Sequence, residues 1–424
     1  MRSVYIESYG CSLNKSDGEK LKGFLSLNNF EIASSPESAD FVIVNSCAVK
    51  KATENKMVRR ISSLNAEAKT HNFKLIVSGC LPKINSQKVS EINSNILQFG
   101  TELNEISQFF NLEEAHFNPL TPEIRDNKHI CIMPINSGCL DNCSFCAVKQ
   151  SRGILKSHSI ESIKQKLLQE LPLTKEFWFT SPDTGAFGRD IKTNLPKMLK
   201  EILNSSNEDF RIRLGMMNPN HCIHFFDELM QVMQDERIYN FLHIPVQSGS
   251  NSVLSAMKRR YSREQFLELV DKANSSLKDF SLATDIIVGF PGETEKDFEQ
   301  TVDLLKEVKP DVVNLSRYAI RPNTLAEKMP QIPEVVKRER SRIAAKLCSE
   351  IFLEKNKKFE GRVEKIFVTE QGKNNAFIGR TNSYKPVVIQ EDLRGKFVLV
   401  KLEKAFPVYL SASILKEMIA VHNK

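Results

Sequence analysis

The segment NSGCLDNCSFCAVK, Asn136–Lys149, places Cys139, Cys143 and Cys146 within eight residues. It directly follows HICIMPI, His129–Ile135, an apolar run that predicts a buried strand. Thiolates at such short spacings hold iron–sulfur clusters, with zinc as the alternative. Closed zinc sites typically pair two knuckles, and no second CxxC follows here. Cys131 lies inside the strand and reads as one of its side chains rather than as a fourth ligand. Three thiolates on a four-iron cluster leave one iron open for a substrate or cofactor.

Outward from this segment, five further strand candidates follow: EFWFT, FRIRLG, NFLHIPV, FSLATDIIVGF and DVVNLS. Helical patterns lie between them, for example Ser159 to Leu171 and Glu293 to Val308. Six βα units predict a partial (β/α)6 barrel over residues 125–355, with a doubly wound sheet as the alternative. Upstream, residues 1–115 alternate VYIESYG, DFVIVNSC, FKLIVSGC and ILQFG with helical stretches, among them Thr53 to Lys69 with Thr53 as N-cap. That alternation predicts an α/β unit with a parallel, flavodoxin-like sheet. The hinge HFNPLTPEIRDNK separates the two units. A long, basic helix from about Pro333 to Lys358 leads into residues 357–420. There GRVEKIFVTEQG, AFIGRTNSYKPVVI and KFVLVKLEKAFPVYLSASIL are alternating strands broken by Gly, Asn and Pro turns. They predict a small closed β-barrel of the oligonucleotide-binding (OB-like) style.

With 41% hydrophobic and 26% charged residues in 424, the composition is that of a soluble globular protein of two or three domains. MRSVYIESYG has no apolar region behind a basic start, so no secretory signal is read, and no run approaches the ~18 apolar residues of a membrane span. The expected location is cytoplasmic, where nine cysteines are ligands, catalysts or core residues rather than disulfides. From Lys357 to Lys424 there are 13 Lys and Arg against 7 Asp and Glu, so +6 of the net +7 lies there. A basic end suggests a nucleic-acid partner, against the alternative of a solvated surface.

A second triplet appears when the remaining cysteines are set against the strands. Cys11, Cys47 and Cys80, in YGC, NSC and SGC, each stand at the C-terminal end of a predicted parallel strand. That edge is where open α/β sheets bind ligands, and neighbouring strands ~5 Å apart allow the three to converge. Three buried small hydrophobes are the alternative; three equivalent positions favour a metal site.

CLDNCSFC, with Phe145 before its last cysteine, resembles the CxxxCxxC loop of radical S-adenosylmethionine enzymes. With the three-cysteine N-terminal unit and the terminal barrel, the chain is similar over essentially its whole length to methylthiotransferases. Phe359 to Leu415 resemble the RNA-binding TRAM domain of that family. SRG (Ser151–Gly153), LHIPVQSGS (Leu242–Ser250), MKRRY (Met257–Tyr261) and TDIIVGFPGET (Thr284–Thr294) carry the likeness further. NSCAVKKATENK and RLGMMNP are closest to the archaeal and eukaryotic branch, which acts on N6-threonylcarbamoyladenosine in tRNA. The ending EMIAVHNK lacks the hydrophobic anchor of the animal members.

The resemblance implies that Cys139, Cys143 and Cys146 hold a [4Fe–4S] cluster whose open iron chelates S-adenosylmethionine, giving a radical that abstracts hydrogen from C2 of the modified adenine. It implies that Cys11, Cys47 and Cys80 hold a second [4Fe–4S] cluster that delivers the methylthio sulfur. All six cysteines would then be catalytic. Phe145, Asp183, Arg213, Gln247 and Asp285 are candidates for the cofactor pocket; the last four lie on or near strand ends, where helix capping or a structural hydrogen bond is the alternative. Pro182 and Phe187 depart from the family pattern. Lys373, Arg380, Tyr384 and Lys385 combine charge with a stacking ring, as RNA-loop binders do.

The expected activity is methylthiolation of threonylcarbamoyladenosine 3′ of the anticodon by a radical mechanism. The alternatives are another modified adenosine, a protein side chain, or a non-catalytic iron–sulfur RNA-binding protein. The expected partner is the tRNA anticodon loop, with a monomeric enzyme, no membrane, and a separate reductant and sulfur source that the residues do not identify. GFPGET lacks the GK[ST] ending of a P-loop and reads as a turn. His221 and His224 read as loop and helix-start residues, and Cys131, Cys222 and Cys348 as structural.

Overall fold

In the computed structural model, residues 2–418 are described. The apolar runs of the N-terminal unit form β1 (Arg2–Ser8), β2 (Phe30–Ile32), β3 (Phe41–Ser46), β4 (Lys74–Gly79) and β5 (Leu97–Gln98). All pair in parallel, in the order β2-β1-β3-β4-β5, the flavodoxin-like order expected. Because helices cover both faces, the central strands are continuous apolar runs rather than alternating, up to Asn45 and Ser78 near their C-terminal ends. Val42 and Val44 pack against Met57, Ile61 and Leu64 on one face, and Ile43 and Ile76 against Leu21, Leu25 and Leu103 on the other. The helix after Cys47 runs Lys51–His71, starting before the expected Thr53 cap. The Lys50 carbonyl accepts the Glu54 N–H at 2.9 Å. Glu54 is buried, its carboxylate pairing with Lys51 and Arg321, and this anchors the first turn from within.

The middle unit holds β6 (Ile130–Pro134), β7 (Asn136–Ser137), β8 (Lys156–Ser157), β9 (Glu176–Thr180), β10 (Arg211–Leu214), β11 (Phe241–His243), β12 (Ser281–Val288) and β13 (Val312–Arg317). β10, β9 and β6 pair in parallel, as do β11, β12 and β13. Parallel bridges Ile212–Ile238 and Met216–His243 join the two halves. The result is a six-stranded partial barrel. Phe177, Phe179, Ile212, Leu214 and Leu242 turn outward into the core under the helices. Alternate residues, Arg213, Phe241, His243 and Asn314 among them, line the lumen, as the period of two requires.

β14 (Val363–Gln371), β15 (Phe377–Arg380), β16 (Pro386–Ile389), β17 (Phe397–Ala405) and β18 (Leu410–Met418) close into a barrel in the order β14-β15-β16-β18-β17. The helix Glu334–Lys357 leads to it from the side of β13. Asp311, just before β13, accepts from Lys385 at 2.7 Å and from Lys355 at 2.6 Å. Lys385 also donates to Asn356 at 2.8 Å. This placement corrects the expected RNA role of Lys385: its ammonium is buried and needs a carboxylate there. Tyr384 likewise packs on Tyr239 and Phe241, with ring centroids 4.8 and 4.9 Å away. Arg380 is paired with Glu370 at 2.6 Å. Of the four expected contacts, Lys373 is the exposed one.

Among the described residues, no helix is long and apolar enough to cross a membrane. Because Asp311 is 4% and Lys385 6% exposed, Asp311→Ala leaves a buried ammonium uncompensated. Its expected cost is about 3–5 kcal/mol by chemical denaturation. Lys385→Met costs less, since Asp311 keeps Lys355 and the Leu282 N–H.

Candidate active site at two cysteine triplets

Cys11, Cys47 and Cys80 follow β1, β3 and β4, three adjacent strands of the N-terminal sheet. Cys11 is exposed, and Cys47 and Cys80 are buried. Gly10 has φ +106°, and a Cβ there would lie 2.7 Å from the Cys47 sulfur, so only glycine lets the β1 end approach β3 this closely. Asn14 ties the same corner, donating to the Tyr9 carbonyl at 2.7 Å and the Asn45 carbonyl at 3.1 Å. Burial pushes the Cys47 thiol up to about 11.

Cys139, Cys143 and Cys146 occupy the loop between β6 and the helix Val148–Arg152. Antiparallel pairing of β7 with β8 clasps its base, and the Cys139 N–H donates to the Gly153 carbonyl at 3.1 Å. Gly138, at φ +67°, permits this, because a Cβ would collide with the Ile154 carbonyl and lie 2.8 Å from the Leu155 nitrogen. Ser144 pins the loop to the MKRRY turn, its hydroxyl donating to the Ala256 carbonyl at 2.8 Å. From that turn Arg259 reaches the Cys143 sulfur at 3.2 Å and the Asn218 side-chain oxygen at 3.0 Å. Burial, then the charge of Asp183, pushes the Cys139 thiol up to about 12; burial pushes Cys146 up to about 11.

One side chain joins the units that carry the triplets. Arg152, at the end of the helix behind Cys146, pairs with Asp17 and donates to Asn14 at 2.8 Å. Burial opposes its charge, but Asp17 and then the Cys80 and Cys11 sulfurs outweigh that and raise its pKa. Arg152 stands within electrostatic reach of both thiols. Ser12 meets Thr180, the last residue of β9, at 2.8 Å between hydroxyls, and Thr101 donates to the Ser151 carbonyl at 2.8 Å.

The expected cofactor-pocket residues fare unevenly. Phe145 packs edge-on to Phe290, centroids 6.4 Å apart, beside the cysteine loop. Asp183 is turned inward: its carboxylate accepts the Gly185 and Asn218 N–H groups at 3.0 Å and lies 2.6 Å from His221 Nδ1. That is the capping alternative, favoured because a buried carboxylate is stable only when its oxygens are satisfied. Gln247, with φ +72°, uses its backbone to bridge the Asp285 carbonyl and the Ile287 N–H. Asp285 faces the lumen, bonded to His243 at 2.9 Å and Asn314 at 2.7 Å. Burial would raise its carboxyl, but these partners and the Lys50 charge hold it below the usual range. Arg213, also expected at the cofactor pocket, lies in the lumen over Phe241 and Tyr384.

Sequence reading missed Arg152, Asn218 and Arg259 and set His221 aside. His221 is buried, with Nε2 3.7 Å from Asp141 of the cysteine loop. Among the described residues, the triplets of potential ligands with donor atoms all within 4.8 Å are Glu123–Cys131–Glu170 and Asp141–Asp183–His221. Neither of the two cysteine triplets is that tight, so each suits a cluster of several metal ions better than one zinc.

Fold and site together define a radical S-adenosylmethionine enzyme carrying a second cysteine-lined centre. Residues 133–305 match the Radical SAM superfamily, residues 3–100 the uncharacterized protein family UPF0004, and residues 357–415 the TRAM domain. Solved structures agree in fold alone: the radical S-adenosylmethionine methyltransferase TsrM from Kitasatospora setae superposes with TM-score 0.56 at 12% identity, over 77% of each chain. The relative from Pyrococcus horikoshii named probable threonylcarbamoyladenosine tRNA methylthiotransferase is 41% identical over 98% of this chain and 100% of its own. The one from Archaeoglobus fulgidus is 40% identical over 98% and 99%. The human threonylcarbamoyladenosine tRNA methylthiotransferase is 33% identical over 95% and 72%. The chain belongs to this threonylcarbamoyladenosine tRNA methylthiotransferase family, whose members are transferases.

The glycine contacts give a direct test. Gly10→Ala and Gly138→Ala each carry ~1–2 kcal/mol of left-handed strain and a further ~1–3 kcal/mol of overpacking. Both lower the melting temperature of the iron-free protein. Gly10→Ala in addition speeds thiol labelling of Cys47, which the new methyl displaces.

Proposed function

We propose that this enzyme methylthiolates C2 of N6-threonylcarbamoyladenosine 3′ of the anticodon in tRNA. The observation that carries the reading is the pair of cysteine triplets at strand ends of two units that the Arg152–Asp17 ion pair joins. Cys139, Cys143 and Cys146 are the ligands for a [4Fe–4S] cluster with S-adenosylmethionine, and Cys11, Cys47 and Cys80 for a second [4Fe–4S] cluster. Bound there, the first group supplies radical activation of the adenine C2–H bond and the second supplies the sulfur.

The chain's own residues place these groups and keep water out. Gly138 and the β7–β8 clasp set the cysteine loop, and Ser144 fixes it to the turn that carries Arg259. Arg259 donates to the Cys143 sulfur, which adds positive charge at a ligand and eases reduction. Phe145 and Phe290 wall the loop with apolar surface. The Gln247 backbone holds β12 at Asp285 and Ile287, and the Asp285 carboxylate faces His243 and Asn314 in the lumen. The basic terminal barrel, with Lys373 on its open surface, tracks the RNA backbone. The working units are residues 1–115, 125–355 and 357–420, in a cytoplasmic monomer served by a separate reductant and sulfur source.

Anaerobic reconstitution is expected to give about eight irons per chain, from two four-iron clusters. Alanine at Cys139, Cys143 and Cys146 abolishes cleavage of S-adenosylmethionine. Alanine at Cys11, Cys47 and Cys80 retains cleavage but forms no methylthio product. Mass spectrometry of tRNA nucleosides from a deletion strain reads the substrate, and loss of a different modification refutes it. Potentiometric titration of Arg259→Met should give a first cluster that is harder to reduce than in the wild type.

A further inference from the structure

Half-buried and buried arginines in this protein have anionic partners almost throughout. Arg152 has Asp17, Arg321 has Glu54, Arg340 has Glu293, and Arg380 has Glu370. Arg259 instead reaches a cysteine sulfur. Arg213, half-buried in β10, makes none of these hydrogen bonds or ion pairs. Its guanidinium stands 5.5 Å from the Trp178 ring, 5.4 Å from Phe241 and 5.6 Å from Tyr384. Aromatic faces tolerate a cation without neutralising it. The nearby carboxylates are committed elsewhere: Asp285 to His243 and Asn314, Glu176 to Trp178 at 2.6 Å and Tyr239 at 2.9 Å, and Asp311 to Lys385 and Lys355.

Arg213 also borders a cavity of about 370 Å³ between the partial barrel and the terminal barrel. Phe241, His243, Asn314, Arg380 and Tyr384 share its wall, so one space offers a free cation, ring faces, and amide and imidazole groups. Its size is within the range of small-ligand sites. Arg213 is five residues before Asn218, which hydrogen-bonds Arg259 at the cysteine loop. β10 therefore leads at its C-terminal end to the cysteine loop, while Arg213 within it faces a cavity that runs toward the starts of β11, β12 and β13, at Phe241, Ser281 and Val312. A base entering with C2 toward the cysteines directs its N6 substituent away from them, since C2 and C6 flank N1 and their exocyclic bonds diverge.

We propose that Arg213 binds the carboxylate of the threonylcarbamoyl side chain, making the cavity between the two barrels the specificity pocket for an acidic N6 substituent. The proposal rests on the substrate reading above. A guanidinium and a carboxylate make paired, charge-assisted hydrogen bonds, and the cavity supplies the fixed cation with no competing protein anion. Asn314 and His243 offer further polar groups to the carbamoyl and hydroxyl of the same side chain. Tyr384, delivered by the terminal barrel, closes the pocket, so docking of that barrel and reading of the substituent are one event.

The test measures binding of the reconstituted full-length enzyme, without reductant, to three anticodon stem-loop RNAs. They carry threonylcarbamoyladenosine, its carboxamide analogue, or plain adenosine at the target position. The wild type should bind the acid at least about tenfold more tightly than the carboxamide, the minimum for a charged hydrogen-bond partner. Arg213→Gln should bind acid and carboxamide equally, with affinity for the adenosine RNA unchanged. Arg213→Lys, which keeps the cation, should restore part of the preference. If the wild type prefers threonylcarbamoylated over plain RNA but does not separate acid from carboxamide, this inference is overturned and the substrate reading stands. If it shows no preference for threonylcarbamoylated RNA, the substrate reading falls and this inference with it. Equal weakening of all three RNAs by Arg213→Gln would mean that the arginine reads a backbone phosphate or only holds the terminal barrel, which also overturns the proposal.

Discussion

The ion pair of Arg152 with Asp17 joins two parts of the chain more than 130 residues apart. Both side chains are nearly buried, and removing charge from water is costly unless a partner of opposite sign is held in place. The pair therefore tolerates little displacement. Arg152 ends the short helix behind Cys146, and Asp17 lies in the helix that begins just after Cys11. Holding these two residues together holds the two cysteine edges together. The contacts of Ser12 with Thr180, Thr101 with Ser151, and Glu54 with Arg321 repeat the constraint around the same boundary. A radical reaction that passes from one centre to another requires such fixed placement, because errors of about 1 Å in approach cost large factors in rate.

The terminal barrel is held by the same physics at a second boundary. Asp311 precedes β13, so its position is set by the partial barrel, while Lys385 belongs to the turn before β16. Their buried pairing brings Tyr384, the adjacent residue, against Tyr239 and Phe241 in the lumen. The terminal barrel thus contributes a wall to the cavity that opens where β11, β12 and β13 begin. The same short segment supplies both the buried ion pair and the ring that packs into the lumen.

The architecture was legible because it rests on local signals. Six apolar strands separated by helical periods, and a cysteine following three of the N-terminal strands, depend on residues close in sequence. The side-chain partnerships did not show in this way. His221 and Asp141 are 80 residues apart, and nothing local in NPNH distinguishes a buried bridging imidazole from an ordinary helix start. Lys385 and Tyr384 carry the composition of RNA contacts, but their burial is decided by Asp311 and Phe241 on another unit. Thr53 satisfies the local rule for a helix cap, yet the helix begins at Lys51, where a buried Glu54 with two cationic partners outweighs one capping hydrogen bond.

Sheet geometry also bears on what the N-terminal triplet can hold. β3 lies between β1 and β4, and successive strands are about 4.8 Å apart, so the outer two are about 9–10 Å apart at the backbone. One zinc ion with sulfur at about 2.3 Å would require the three thiolates to approach within about 3.8 Å of one another. Three neighbouring strand ends reach that only by bending toward a point, and the sulfurs are not gathered that tightly. A centre made of several metal ions is broader and meets strand ends where the sheet already puts them. The approach of Gly10 to Cys47 narrows the span at one step and leaves the rest of the edge open. The spacing of a parallel sheet and the absence of a side chain at one residue are thus enough to favour a cluster over an ion.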